Sequence, residues 1–179
     1  DVYKRQLLDA DLTGVDLTGA NLSGADLTGN DLTGTILTGV SMPYSILSDV
    51  DLAGKDLSGT NLSGADLSNV ILTGSDLTGT DLSNAILAGA DLTGVDLGET
   101  NLTEADLTGS DLTKTILTGS LLSRANLAGT DLSGTIISGV DLSNVLMAET
   151  DLSGKDLTGT VLTGADLSNT NLSGTDLSG

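Results

Sequence analysis

An apolar residue recurs every five positions from Leu7 to Leu177, without insertion or deletion, and is leucine at all but three of the 35 places. Met42, Ile137 and Met147 fill those three with side chains of similar volume. The surrounding residues keep step, as in Ala20-Asn21-Leu22-Ser23-Gly24 and then Ala25-Asp26-Leu27-Thr28-Gly29. With the leucine called i, the pattern is a small residue at i−2, Asp or Asn at i−1, Ser or Thr at i+1 and Gly at i+2. Disorder does not require so regular an apolar ladder. In an α-helix five residues turn about 500°, which would wind the leucines around every side. A strand needs a period of two, and collagen needs glycine at every third residue.

Turn chemistry accounts for the period. A type II turn needs positive φ at its second central residue, which favours Gly or Asn. Of the 24 glycines 23 sit at i+2, Gly98 being the exception, and Asn69, Asn84, Asn144 and Asn169 occupy the same position. Pro43, the one proline, sits at i+1, the first central position, where type II turns favour it. A chain that turns the same way every five residues winds into a coil. Asp49, Glu99, Glu104, Lys114, Arg124 and Glu149, also at i+2, are expected to mark a different turn type.

Units such as Ala65-Asp66-Leu67-Ser68-Asn69 resemble the A-(D/N)-L-x-x signature of pentapeptide repeat proteins, and the resemblance covers nearly the whole chain. It implies an all-β fold, a right-handed quadrilateral parallel β-helix with four pentapeptides per turn. The residues at i and i−2 would point inward and those at i−1, i+1 and i+2 outward. The small Ala, Val, Thr and Ser side chains that dominate i−2 agree with a narrow interior. Residues 7–179 would then form about nine coils, a rod of roughly 40 Å at the inter-strand spacing. No capping segment is evident, so this reads as part of a longer array whose apolar coil ends favour end-to-end self-association. Residues 1–6 lie outside the repeat and read either as a native leader or as a foreign remnant.

Charge is the other strong feature. The chain carries 25 acidic and 6 basic residues, a net charge of −19. Direct binding to nucleic acid or to an anionic lipid surface is disfavoured, which leaves open a basic partner, a cation or a site that normally holds DNA. There is no Cys and no His, so disulfides and the commonest general base are absent. No apolar run is long enough to span a membrane. No signal peptide is recognisable, which leans to a cytoplasmic location without fixing one.

Taking every fourth repeat together sorts the outward i−1 positions into four faces. The first holds Asp11, Asp31, Asp51, Asp91, Asp111, Asp131 and Asp151, with Ile71 and Asn171. The second holds Asp16, Asp56, Asp76, Asp96, Asp156 and Asp176, with Ile36, Ile116 and Ile136. The third is nearly neutral, and the fourth mixes Asp with apolar residues. The negative charge is therefore lopsided, and the thirteen aspartates of the first two faces form the candidate acidic interaction surface. The competing reading is structural, since Asp and Asn cap backbone N–H groups in turns. The apolar i−1 residues are scattered over the faces and read as strand formers.

Three further residues are candidate local contacts. Tyr44, in the disturbed repeat Ser41-Met42-Pro43-Tyr44-Ser45, is expected to be exposed at a corner. Lys55 and Lys155 lie at inward i−2 positions in matching Gly-Lys-Asp-Leu stretches, five coils apart, and each is expected to snorkel out to neighbouring Asp. Sequons begin at Asn21, Asn61, Asn101 and Asn171, but the repeat generates them automatically.

No constellation for nucleophilic, acid–base or phosphate-loop chemistry is present, and no cofactor or metal is expected. The expected role is a non-catalytic acidic scaffold, a rigid rod presenting Asp-rich faces to a protein partner or to cations. The family resemblance implies an alternative, a DNA-mimicking protein that binds a type II topoisomerase, protecting or inhibiting gyrase. This chain lacks that subgroup's central Phe, C-terminal dimerising helix and projecting loops. A third reading is binding to ice or a mineral surface through the Ser and Thr rows at i+1.

Overall fold

The computed structural model describes Leu7 and residues 10–178. The six residues ahead of the repeat lie outside the described part, so the leader reading is not addressed. Asp16 pairs with Ile36, Asn21 with Ser41 and Asp26 with Ile46, always in parallel and always with the repeat four units further on. Four pentapeptides thus complete one turn, and the chain is a right-handed quadrilateral β-helix, as the resemblance implied.

The repeat centred on Leu67 shows why five residues suffice. The Val70 N–H donates to the Leu67 carbonyl at 3.1 Å and closes the turn. The Asp66 N–H donates back to Ser45 of the preceding coil at 2.9 Å. The Leu67 and Asn69 N–H groups donate forward to Ile86 and Ala88 at 2.7 and 2.9 Å. The remaining N–H, that of Ser68, is taken by the Asp66 side chain at 3.1 Å. All five main-chain donors of the unit are satisfied, as a tightly wound backbone requires.

The corners share one geometry. The i+2 glycines have φ between 62° and 82°, and the residues expected to mark another turn type fall beside them, Asp49 at 62°, Lys114 at 60° and Glu149 at 63°. That expectation is corrected: the backbone imposes the left-handed corner whatever the side chain. Non-glycine residues accept its strain because the stacked coils fix it from both sides.

Inside, the leucines form one dry column, fully buried through the middle of the rod, as at Leu52, Leu92 and Leu142. Each contributes roughly 1.5–3 kcal/mol of burial. Towards the two ends of the described part Leu17 and Leu172 are only partly covered, the fraying expected of a nearest-neighbour solenoid. Apart from Ser110, whose hydroxyl has no partner, the buried Ser and Thr at i−2 donate their hydroxyls to main-chain carbonyls of the column residues, as Thr60 does to Leu57 at 2.6 Å and Thr80 to the same carbonyl at 2.9 Å.

Candidate functional site

The thirteen aspartates stand where the sequence placed them, on two adjacent faces, and all but the half-buried Asp91 are exposed. Each also has a structural task. Asp16 Oδ1 accepts the Thr18 N–H at 2.9 Å, and Asp51, Asp111 and Asp151 cap Ala53, Thr113 and Ser153 at 2.9, 2.8 and 2.9 Å. Asparagine does this equally well: Asn61 caps Ser63 at 2.9 Å and Asn171 caps Ser173 at 3.1 Å. The geometry of the cap needs one side-chain oxygen, and a neutral one serves. Yet no asparagine occupies the second face, and Asn171 is alone on the first, whereas Asn21, Asn61 and Asn101 outnumber Asp81 and Asp141 on the third. The charge on the first two faces exceeds what the turns demand.

The hydrogen bonds also tune the carboxylates. Asp31, Asp56, Asp91, Asp131 and Asp156 titrate below the usual range, first because the Ser or Thr hydroxyl two residues on bonds to them and then because the N–H of the same residue does. Repulsion from Asp131 acts the other way on Asp151 but is outweighed there by the bonds from Ser153. These carboxylates are therefore ionised at neutral pH.

The corners divide in the same sense as the charge. The corner between the two Asp-rich faces is glycine throughout except Lys114, and the next, between the second and third faces, is glycine except Glu99. Larger side chains gather on the other two corners, among them Tyr44, Asn84, Glu104, Arg124 and Asn144 after the third face. Arg124 and Glu104 stack one coil apart in an exposed ion pair at 3.0 Å. The Asp-rich corner is thus nearly free of projecting side chains.

Tyr44 is 70% exposed, as expected, and its ring lies over Gly64 of the next coil, where a Cβ would come within 2.5 Å of Cε1. The lysines depart from expectation. Lys55 Nζ donates to the carbonyls of Leu32 at 2.6 Å and Thr35 at 3.2 Å rather than to a carboxylate, and Lys155 does the same with Leu132 and Thr135. The inward position brings each ammonium onto backbone oxygens before it can reach the surface Asp. Burial lowers the Lys155 pKa, partly offset by Asp131 and Asp151 nearby. No local sequence signal marks these carbonyls as acceptors, because only the coil geometry brings them within reach.

Among the described residues, no group of three or more Asp or Glu is placed to hold a metal ion, and no helix is long and apolar enough to cross a membrane.

The Pentapeptide repeats family matches in eight copies, over residues 6–42, 45–84, 85–124, 117–147 and 141–179. No curated protein matches the chain. Among solved structures, the chain is similar to HetL, a pentapeptide repeat protein involved in heterocyst differentiation regulation from the cyanobacterium Nostoc sp. strain PCC 7120. The identity is 31% over 93% of this chain and 86% of that one, with a TM-score of 0.44. It is similar also to a trypsin-treated form of QnrB1, a plasmid-mediated fluoroquinolone resistance protein, at 23% identity over 92% of this chain and 86% of that one, with a TM-score of 0.64. A third is Rfr23 from the cyanobacterium Cyanothece 51142, at 25% identity over 94% and 95%, with a TM-score of 0.44.

Proposed function

The chain belongs to the pentapeptide repeat family, and on that footing we propose that it is a non-catalytic scaffold whose first and second faces dock a protein partner with a basic surface. The observation that carries the reading is the choice of Asp over Asn. Both cap the turn, as Asp51 and Asn61 do at the same 2.9 Å, so the charge serves something other than the turn. The glycine corner between the two faces supports it further, since a partner can lie across both without meeting a projecting side chain. Dispersed charge of this kind favours association rate and specificity more than raw affinity.

The test uses two variants of equal net charge. One changes Asp16, Asp56, Asp76, Asp96, Asp156 and Asp176 of the second face to Asn. The other changes Asp26, Asp66, Asp81, Asp106, Asp141 and Asp166 of the third and fourth faces. Each goes from −19 to −13. Binding to a lysine-rich peptide is then measured as a function of salt. The second-face variant loses more affinity than its counterpart; equal losses would leave only the total charge and sink the reading.

A second reading, a DNA mimic that occupies the DNA site of a type II topoisomerase, is favoured by the fold shared with QnrB1 and by the acidic column along the rod. The absence of Phe separates this chain from that subgroup's pattern. Inhibition of gyrase supercoiling, or protection of it from a fluoroquinolone, would support it, and no effect at micromolar protein would dismiss it. The ice-binding reading draws no support from the i+1 hydroxyls: those of Thr18 and Ser58, for example, are turned onto Asp16 and Asp56 at 2.5 and 2.6 Å.

A further inference from the structure

Between the coil that starts at Asp31 and the coil that starts at Asp51, the main-chain ladder is missing on two adjacent faces. The N–H groups of Leu32, Gly34, Leu37 and Gly39 find no carbonyl in the next coil, and those of Asp51 and Asp56 find none in the preceding one. The third and fourth faces of the same two coils stay zipped, through Met42 to Asn61 at 2.7 Å, Tyr44 to Ser63 at 2.9 Å and Leu47 to Asp66 at 2.7 Å. Lys55 stands at the corner between the two open faces. It occupies the Thr35 carbonyl, which by the rule of the coil belongs to the Asp56 N–H, as the Lys55 carbonyl belongs to Asp76 at 2.9 Å.

Five coils on the arrangement returns. Lys155 takes the carbonyls of Leu132 and Thr135. The N–H groups of Leu132, Gly134, Ile137, Asp151 and Asp156 lack their ladder partners, and on the open side only Gly139 to Thr158 remains, at 2.9 Å. The far side holds through Leu142 to Val161 at 2.8 Å and Met147 to Asp166 at 2.9 Å. Surface crevices open at these same two places, one beside Asp31, Asp51 and Lys55 and the other beside Asp131, Asp151 and Lys155. Gaps also occur between the repeats of Leu77 and Leu97 and between those of Leu122 and Leu142, but each spans a single face and leaves the other three joined.

We infer that Lys55 and Lys155 set two hinges in the rod. A joint open on two neighbouring faces and zipped on the opposite two bends by parting on the open side. Both joints open on the same side, the Asp-rich one, so both bend the rod in one plane and change the curvature of that surface. The lysine makes the joint, because its ammonium takes the carbonyl that would otherwise close the ladder. The hinges are set within the chain and need no partner.

Amide hydrogen exchange on the whole chain, read residue by residue, tests them. In the unsubstituted chain Leu37, Gly39, Asp51 and Asp56 exchange at least about tenfold faster than Met42, Tyr44 and Leu47 of the same joint, the signature of local rather than global opening. Lys55→Thr slows the first group at least about tenfold and leaves the Lys155 joint unchanged; Lys155→Thr does the converse. Equal protection on the two sides of the joint in the unsubstituted chain would overturn the inference, and that comparison decides even where a variant does not fold. Exchange unaltered by either folded substitution would overturn it as well.

Discussion

Pro43 follows Ser41 by two residues, and in this fold those positions are a turn donor and its cap. Wherever Asp or Asn stands at i−1 its Oδ1 takes the N–H at i+1; Ser41 offers no such oxygen, and Pro43 has no N–H to offer. The one proline in the chain therefore sits where it costs the backbone nothing, at the turn position it prefers.

More prolines should fit by the same rule. Ala88 follows Ile86, and its N–H has no protein partner among the described residues. Ala88→Pro should be neutral or stabilise by up to about 1 kcal/mol, by restricting the unfolded chain. Thr93→Pro removes the N–H that Asp91 caps at 3.0 Å and should destabilise by about 1 kcal/mol. Denaturant melts of the two variants against the parent measure the difference; equal losses would show that the caps are idle.

Acid should weaken the rod despite its excess negative charge. Asp16 and Asp56 titrate below the usual carboxylate range, chiefly through the bonds that Thr18 and Ser58 give them. A carboxylate whose folded pKa is depressed stabilises the fold above its unfolded pKa and loses that contribution as pH falls through the folded value. Relief of repulsion pulls the other way, but it is the smallest of the influences on Asp151 and Asp176. Thermal melts from about pH 5 down to about pH 2 should therefore show a falling Tm, with the loss concentrated below the usual Asp pKa. A Tm that rises over that range would mean that repulsion outweighs the caps.

Gly64 is constrained twice, by a φ of 64° and by the Tyr44 ring, whose Cδ1 and Cε1 lie 2.6 and 2.5 Å from where a Cβ would stand. Gly64→Ala should cost about 1–3 kcal/mol, and adding Tyr44→Ala should recover the steric part but not the backbone part. Gly54, with φ 66° and nothing within 4 Å, should accept Asn with little loss, as Asn69 does at 54°. Chemical denaturation of the two singles and the double gives the coupling directly. Additive losses would place the ring away from Gly64.

Much of this was legible in the residues. The leucine spacing fixed the buried column, and Gly and Asn at i+2 fixed the left-handed corners. Asp and Asn at i−1 were recognisable as turn caps, because capping is a local matter two residues wide. What stayed hidden depends on contacts between one coil and the next. Glu99 and Lys114 look unsuited to a left-handed corner until neighbouring coils hold them there. Lys55 looks destined for the nearest carboxylate, and only the coil geometry brings the Thr35 carbonyl within reach of its ammonium. The bare corner beside the two acidic faces was also available in the sequence, and became meaningful once the four columns were seen as edges of one surface.

One oxygen of each i−1 aspartate caps the turn, and on the proposed reading the charge is left for a partner. Replacing all thirteen aspartates of the first and second faces with asparagine tests that separation of tasks most directly, read as a thermal melt with circular dichroism at neutral pH. The predicted result is an unchanged β spectrum with a Tm close to that of the parent, since every cap keeps its acceptor oxygen and the relief of repulsion offsets the weaker hydrogen bonds to an uncharged acceptor. Loss of the β signal, or a Tm well below the parent's, would contradict it.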